Sequence, residues 1–162
     1  EGVTGLELIY QQPFSFLPEP WNGFGFLSNL TWIDYKRDIT DPFTKQVASL
    51  LAEETSRLSY NYTVYFEQDN WSARVSYNFR ERYTKEYLDK YKDEGSFGRG
   101  YADKGQLNFS SRYQINKNLS LSFEALNLTD EVYYTYVNKH NYNAQYERYG
   151  ATYKLGITFM QF

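Results

Sequence analysis

Arg57-Leu58-Ser59-Tyr60-Asn61-Tyr62-Thr63-Val64-Tyr65-Phe66-Glu67-Gln68-Asp69-Asn70-Trp71-Ser72-Ala73-Arg74-Val75-Ser76-Tyr77-Asn78-Phe79-Arg80 alternates apolar and polar side chains, pauses once, and alternates again. Leu58, Tyr60, Tyr62, Val64 and Phe66 fall on one side of an extended chain, with Ser59, Asn61 and Thr63 on the other. After the pause at Gln68-Asp69-Asn70, Trp71, Ala73, Val75, Tyr77 and Phe79 oppose Ser72, Arg74, Ser76, Asn78 and Arg80. Successive side chains of a strand point to opposite faces, so a period of two writes a two-faced β-strand. Asp and Asn tolerate tight-turn backbone, so the segment predicts two strands joined closely.

The same period recurs on either side. In residues 106–115, Leu107, Phe109, Tyr113 and Ile115 oppose Gln106, Asn108, Ser110, Arg112 and Gln114. Leu119, Leu121, Phe123 and Ala125 alternate with Ser120, Ser122 and Glu124. Residues 149–159 place Tyr149, Ala151, Tyr153, Leu155, Ile157 and Phe159 against Gly150, Thr152, Lys154, Gly156 and Thr158. Residues 4–11 and 23–35 carry a weaker version, which brings the expected total to seven strands. Most are near the roughly 9–11 residues that a tilted strand needs to cross a bilayer. Gln68-Asp69-Asn70 and Asn116-Lys117-Asn118 read as tight turns, and residues 13–22 as a Pro-rich link. Residues 36–56, 83–103 and 128–145 read as long polar loops. Short and long connections alternating is the wiring of outer-membrane barrels, with brief periplasmic turns and extended outer loops.

Composition narrows the class further. Aromatic residues make up 20% of the 162 positions, 18 of them Tyr, yet the mean hydropathy is −0.71. Lipid on one face of each strand and water on the other gives that combination. The absence of cysteine removes disulfides, thiol catalysis and thiolate metal sites. A net charge of −3 with scattered charges gives no basic patch for nucleic acid. No apolar run approaches a transmembrane helix, which says nothing against strands. The chain moves from Glu1-Gly2-Val3 straight into a strand pattern, and a fragment or processed chain is expected. The reading is an all-β, antiparallel transmembrane β-barrel segment. Its competitor is a soluble, carbohydrate-binding β-sandwich, whose aromatic content would not gather near strand ends as membrane girdles do. Seven strands cannot close in lipid, so further strands must complete the barrel.

The chain carries a resemblance that spans essentially its whole length, most specific in residues 127–133. Leu119-Ser120-Leu121-Ser122-Phe123-Glu124-Ala125 followed by Asn127-Leu128-Thr129-Asp130-Glu131 and Tyr133 resembles the penultimate-strand signature of TonB-dependent receptors. The closing strand 149–159, the turn Gln12-Pro13-Phe14-Ser15-Phe16-Leu17-Pro18 and the stretch Trp71-Ser72-Ala73-Arg74-Val75-Ser76-Tyr77-Asn78 are similar to segments of the same family. The resemblance implies that residues 1–162 are the C-terminal part of a barrel of about 22 strands. The plug and the TonB box would lie outside this sequence. It also implies bacterial outer-membrane localisation, with TonB, outer-membrane lipid and the rest of the receptor as partners. The function implied is import of a scarce nutrient: a siderophore, a cobalamin-like ligand or an oligosaccharide. Alternatives are a segment serving chiefly as a substrate of the barrel-assembly machinery, or another outer-membrane barrel, porin or enzyme.

Three groups of residues are candidates for function. Tyr153, Leu155, Gly156, Ile157, Phe159 and Phe162 resemble the terminal strand read by the barrel-assembly machinery, although Phe162 is out of phase with Phe159. Asn127, Leu128, Thr129, Asp130, Glu131 and Tyr133 form the family signature. Tyr133, Tyr134, Tyr136, His140, Tyr142 and Tyr146 form an aromatic outer loop that could stack on a sugar or a siderophore. Its bland reading is an interfacial girdle. Arg74, Arg80, Arg82, Arg112, Glu124 and Lys154 are expected to line the lumen. One histidine and no spaced ligand cluster give no expectation of a metal, cofactor or catalytic triad. The glycines of Phe97-Gly98-Arg99-Gly100 are expected in a loop and lack the strand–helix context of a phosphate cradle.

Overall fold

A computed structural model describes residues 2–40, 45, 47–89, 97–137 and 142–160. Twelve strands are described: β1 (Gly2–Pro13), β2 (Phe24–Thr40), β3 (Val47–Leu51), β4 (Leu58–Gln68), β5 (Trp71–Arg80) and β6 (Tyr83–Asp89), then β7 (Phe97–Tyr101), β8 (Lys104–Asn116), β9 (Leu119–Leu126), β10 (Val132–Val137), β11 (Asn143–Arg148) and β12 (Thr152–Phe159). One 3₁₀ turn, Trp21–Gly23, precedes β2. All described pairings are antiparallel.

The seven expected strands form one continuous sheet in the order β1-β2-β4-β5-β8-β9-β12. The expectation of seven needs correction, because five further strands lie inside the long connections. β3 adds to β2, and β11-β10-β7-β6 form a second, four-stranded sheet. The glycines expected in a loop belong to strand β7. Two boundaries also move: β2 runs to Thr40, and β12 begins at Thr152, after a break at Gly150, whose φ is +75°.

Register carries the two-faced pattern across the whole main sheet. Leu30 pairs Tyr60, Tyr60 pairs Phe79, Val64 pairs Val75, Val75 pairs Phe109, and Phe109 pairs Ala125. On the opposite face Asn29 pairs Asn61, Asn61 pairs Asn78, Arg74 pairs Ser110, and Ser110 pairs Glu124. A slip of one residue in any strand would exchange the faces, so the hydropathy pattern fixes the register. Ser111, like Ser28 and Gln12, is a polar residue on the apolar face. Its hydroxyl accepts from the Trp71 indole N–H at 2.8 Å and donates to the Ser72 carbonyl at 3.1 Å, so neither polar group is left facing hydrocarbon.

Aromatic rings collect toward the ends of the apolar face. Trp21–Phe24, Phe24–Phe66 and Phe66–Trp71 lie 5.8, 4.9 and 5.0 Å apart beside the short turn at Asp69-Asn70. Tyr60–Phe79 at 4.8 Å and Trp32 mark the other end. The 11 residues of β4 extend about 36 Å. At the roughly 45° tilt of spanning strands, they rise about 25 Å, the height of an outer-membrane apolar band.

The described residues form no enclosed core around the main sheet. Ala52, Ala125 and Tyr136 are the only buried apolar residues among them, whereas Tyr62, Val64 and Val75 are exposed. A sandwich would cover this face with a second layer; here it lies open.

Candidate functional site

The two sheets are one ribbon with a break in it. β5 runs into β6 through residues 81–82, and β7 into β8 through residues 102–103. β9 leads to β10 through residues 127–131, and β11 to β12 through residues 149–151. The neighbours β5-β8-β9-β12 therefore continue as β6-β7-β10-β11 in the same lateral order. Four joints cross at one level, and there side-chain bonds join the backbone ones. The Arg82 N–H donates to Asp103 Oδ1 at 2.7 Å, and the Ala102 N–H to the Tyr134 carbonyl at 3.0 Å.

The signature Asn127–Glu131 is the most heavily bonded of these joints. Asn127 and Asp130 both adopt left-handed backbone, φ 57° and 50°, which Asn and Asp tolerate better than most residues. Asn127 is buried. Its side-chain amide donates to the Gly150 carbonyl at 3.1 Å and to the Glu131 carbonyl at 3.4 Å, while its Oδ1 accepts the Glu131 N–H at 2.8 Å. Its own backbone N–H reaches Asn108 Oδ1 at 3.0 Å. Leu128 N–H donates to the Leu107 carbonyl, Thr129 Oγ1 to the Gly105 carbonyl, and Glu131 Oε1 accepts the Gly105 N–H. Asp130 is ion-paired to Arg148, whose guanidinium holds the carboxyl below its ordinary range. The signature thus ties β8, β10 and the approach to β12 into one knot, with Leu128 itself left exposed.

Beside that knot the break opens a cavity of about 240 Å³, lined in part by Arg80, Tyr83, Tyr101, Asp103, Lys104 and Tyr133. Arg80 and Lys104 are direct register partners on the polar face. Like charges placed opposite repel. Here each turns onto a tyrosine: the Arg80 guanidinium sits 4.0 Å from the Tyr83 ring centre and Lys104 Nζ 5.9 Å from that of Tyr133. Arg80 also donates to Ser56 Oγ at 2.7 Å and to the Glu54 carbonyl. Among the described residues neither cation has a carboxylate within ion-pair distance. Tyr83 and Tyr101 stack at 5.0 Å, and Tyr133 meets Tyr101 edge-on at 5.4 Å. The hydrogen bond to Tyr101 pushes the Tyr133 phenol up to about 12, so it stays a neutral hydroxyl at any physiological pH.

The expected lumen residues share the polar face, with Arg82 instead in a joint. Arg74 bonds Glu67 at 2.7 Å and Lys154 faces Glu124 at 3.7 Å, whereas Arg112 has no ion pair among the described residues. Of the aromatic outer loop, Tyr133 and Tyr134 line the cavity, while Tyr136 is buried against Gly100. Tyr142 and Tyr146 are exposed, and His140 lies outside the described residues. Sequence reasoning missed Tyr83, Tyr101 and Lys104. The alternation Tyr83, Lys85, Tyr87 was the available signal. At the C-terminal end, Tyr153, Leu155, Ile157 and Phe159 project from one face of β12, with Leu155 87% exposed. Gly156 lies under Ser122, where a Cβ would meet its Oγ at 2.4 Å. Backbone pairing continues to Met160; Phe162 lies outside the described residues. No grouping of His, Cys, Asp and Glu able to hold a metal occurs among the described residues.

Comparison with known proteins agrees with this geometry. Two crystal structures of mutant forms of the ferric enterobactin receptor PfeA from Pseudomonas aeruginosa match with TM-scores of 0.63 and 0.61. Each is 21% identical and covers 97% of this chain, which spans only 22% of the receptor's length. No curated protein sequence matches. The family model described as "TonB dependent receptor-like, beta-barrel" matches residues 2–128, so the chain belongs to the TonB-dependent receptor β-barrel family.

Proposed function

We propose that this chain is the C-terminal part of the wall of a bacterial outer-membrane transporter that imports a scarce nutrient with energy delivered through TonB. The observation that carries the reading is the two-faced register over seven strands, shifted only between Gln114 and Asn116, in a member of this family. The apolar face, with its two aromatic belts, meets lipid, and the polar face lines the lumen beside a plug supplied by the rest of the receptor. The turns at Asp69-Asn70 and Lys117-Asn118 point to the periplasm and the second sheet outward. The exposed edge of β12, with Tyr153, Leu155, Gly156, Ile157 and Phe159, serves as the pairing strand for the barrel-assembly machinery and then for the barrel's remaining strands. Nutrient classes in keeping with the aromatic outer end are ferric siderophores, the ligand type in the matched receptor's name, cobalamin-like ligands and oligosaccharides.

The test is uptake. Cells lacking the full-length gene should lose import of one nutrient of these classes, and complementation should restore it only when TonB is present. Restoration without TonB would refute the reading.

A further inference from the structure

The geometry points to the β4–β5 turn as a binding site for a phospholipid with an ammonium head group, taken from the periplasmic leaflet. The inference rests on the reading of the apolar face as lipid-facing and adds a lipid class to it. A groove of about 460 Å³ lies at the turn end of that face, lined by Phe66, Gln68, Asp69, Asn70, Trp71 and Tyr113. Gln68 pairs Trp71 in register and Trp71 pairs Tyr113, so these side chains share one face with Phe66. Trp71 and Tyr113 are nearly half exposed, and Phe66 packs 5.0 Å from Trp71. Rings on one side and turn polar groups on the other suit the level where a head group joins its acyl chains.

The charge in the groove is what selects. The donors that an anion would need are spent: the Trp71 indole N–H goes to Ser111 Oγ at 2.8 Å, and Asn70 Nδ2 to the Gln114 carbonyl at 3.0 Å. No lysine or arginine lines the groove; Arg74 and Arg112 belong to the opposite face, and Lys117 to the next turn. Asp69 is the one charged residue in the lining, and its carboxylate has no hydrogen bond or ion pair among the described residues. A free carboxylate beside two exposed rings draws a cation, by its own charge and by the negative ring faces. Gln68 supplies an uncommitted amide, a donor for the phosphate that such a head group carries. Acid, rings and amide together match a zwitterionic aminophospholipid, with its chains running along Phe66 and Phe24. A lipid that is anionic and lacks the ammonium would set its charge against Asp69.

The experiment uses the full-length receptor in detergent and measures lipid binding by calorimetry. The probes are phosphatidylethanolamine and phosphatidylglycerol with the same short acyl chains. The ethanolamine lipid should bind about fivefold more tightly, and the preference should fade as salt is added. Asp69→Asn, which keeps a residue that tolerates the turn's φ of 49°, should abolish that preference. Trp71→Leu should weaken the ethanolamine lipid about threefold, the scale of an exposed cation–ring contact. Asp38→Asn, the same change on an exposed acid at the outer end of β2, should alter neither affinity. Equal affinities for the two lipids, tighter binding of the glycerol lipid, or an Asp69→Asn receptor that keeps the preference would overturn the site. Uptake that stays TonB-dependent under those outcomes leaves the transport reading standing; a full-length protein that is stable in water without detergent removes both.

Discussion

The main sheet and the outer sheet share strands, order and direction, yet they are held together by different means. In the main sheet eight to twelve register pairs join most neighbouring strands, and large apolar side chains stay exposed. In the outer sheet the pairings are short and slip at Thr84/Glu86, Tyr87/Asp89 and Thr135/Tyr136. There the chain buries what it can against itself: Tyr136 over Gly100, and Thr135, with Ala52 and Asn127 nearby in the connections. Tyr87 bonds the Leu51 carbonyl at 2.8 Å, and burial raises its phenol's pKa. The difference teaches that a strand in lipid borrows its apolar environment, whereas the same strand continued into water must assemble its own from glycine, tyrosine and side-chain hydrogen bonds.

The sharpest way to break that comparison is to put one charge on each face at the same height. In the full-length receptor folded into lipid vesicles, Val75→Arg should cost about 2–4 kcal/mol, the penalty of arginine near the bilayer midplane. Ser76→Arg, one residue along and facing the lumen, should cost far less; equal losses in denaturant titrations would mean that the faces are misassigned. Next in size is Asn127→Ala. It strands the Gly150 carbonyl and the Glu131 N–H and puts alanine at φ 57°, so we expect about 2 kcal/mol of local destabilisation. Hydrogen exchange should rise in β10 and β11 but not in β4 and β5; a uniform rise would show that the two sheets open as one. Trp71→Phe keeps an aromatic ring and deletes the bond to Ser111, for a loss of about 1 kcal/mol confined to the main sheet.

The smallest effect belongs to Asp130. Arg148 lowers its carboxyl pKa, so its stabilisation is complete above the ordinary carboxylate range and fades as pH falls through the lowered value. Asp130→Asn should therefore change exchange in β11 slightly at neutral pH and not at all in strong acid or high salt.

How far the sequence could be read follows from the same contrast. Seven strands were legible because each separates two solvents, and hydropathy reports that separation residue by residue. β6, β7, β10 and β11 lie outside that sheet, and Tyr83–Asp89 and Val132–Val137 carry no consistent apolar face, so hydropathy reads them as loop. The signature Asn127–Glu131 could be recognised as a motif, but not its work as a knot, because its partners Asn108, Gly105 and Gly150 lie 19 to 24 residues away. The facing of Arg80 and Lys104 was equally hidden. It depends on the register across β5 and β8, which a 23-residue connection of unknown path separates in sequence.

The row of joints has an evolutionary consequence. Because β6, β7, β10 and β11 join β5, β8, β9 and β12 through four short connections on one level, those four strands can be exchanged as a cassette that keeps the bonds of Thr84 and Tyr87 to residues 51–54. A recombination that respects residues 81–82, 102–103, 127–131 and 149–151 would graft a new mouth onto an old wall without renumbering a single lipid-facing contact.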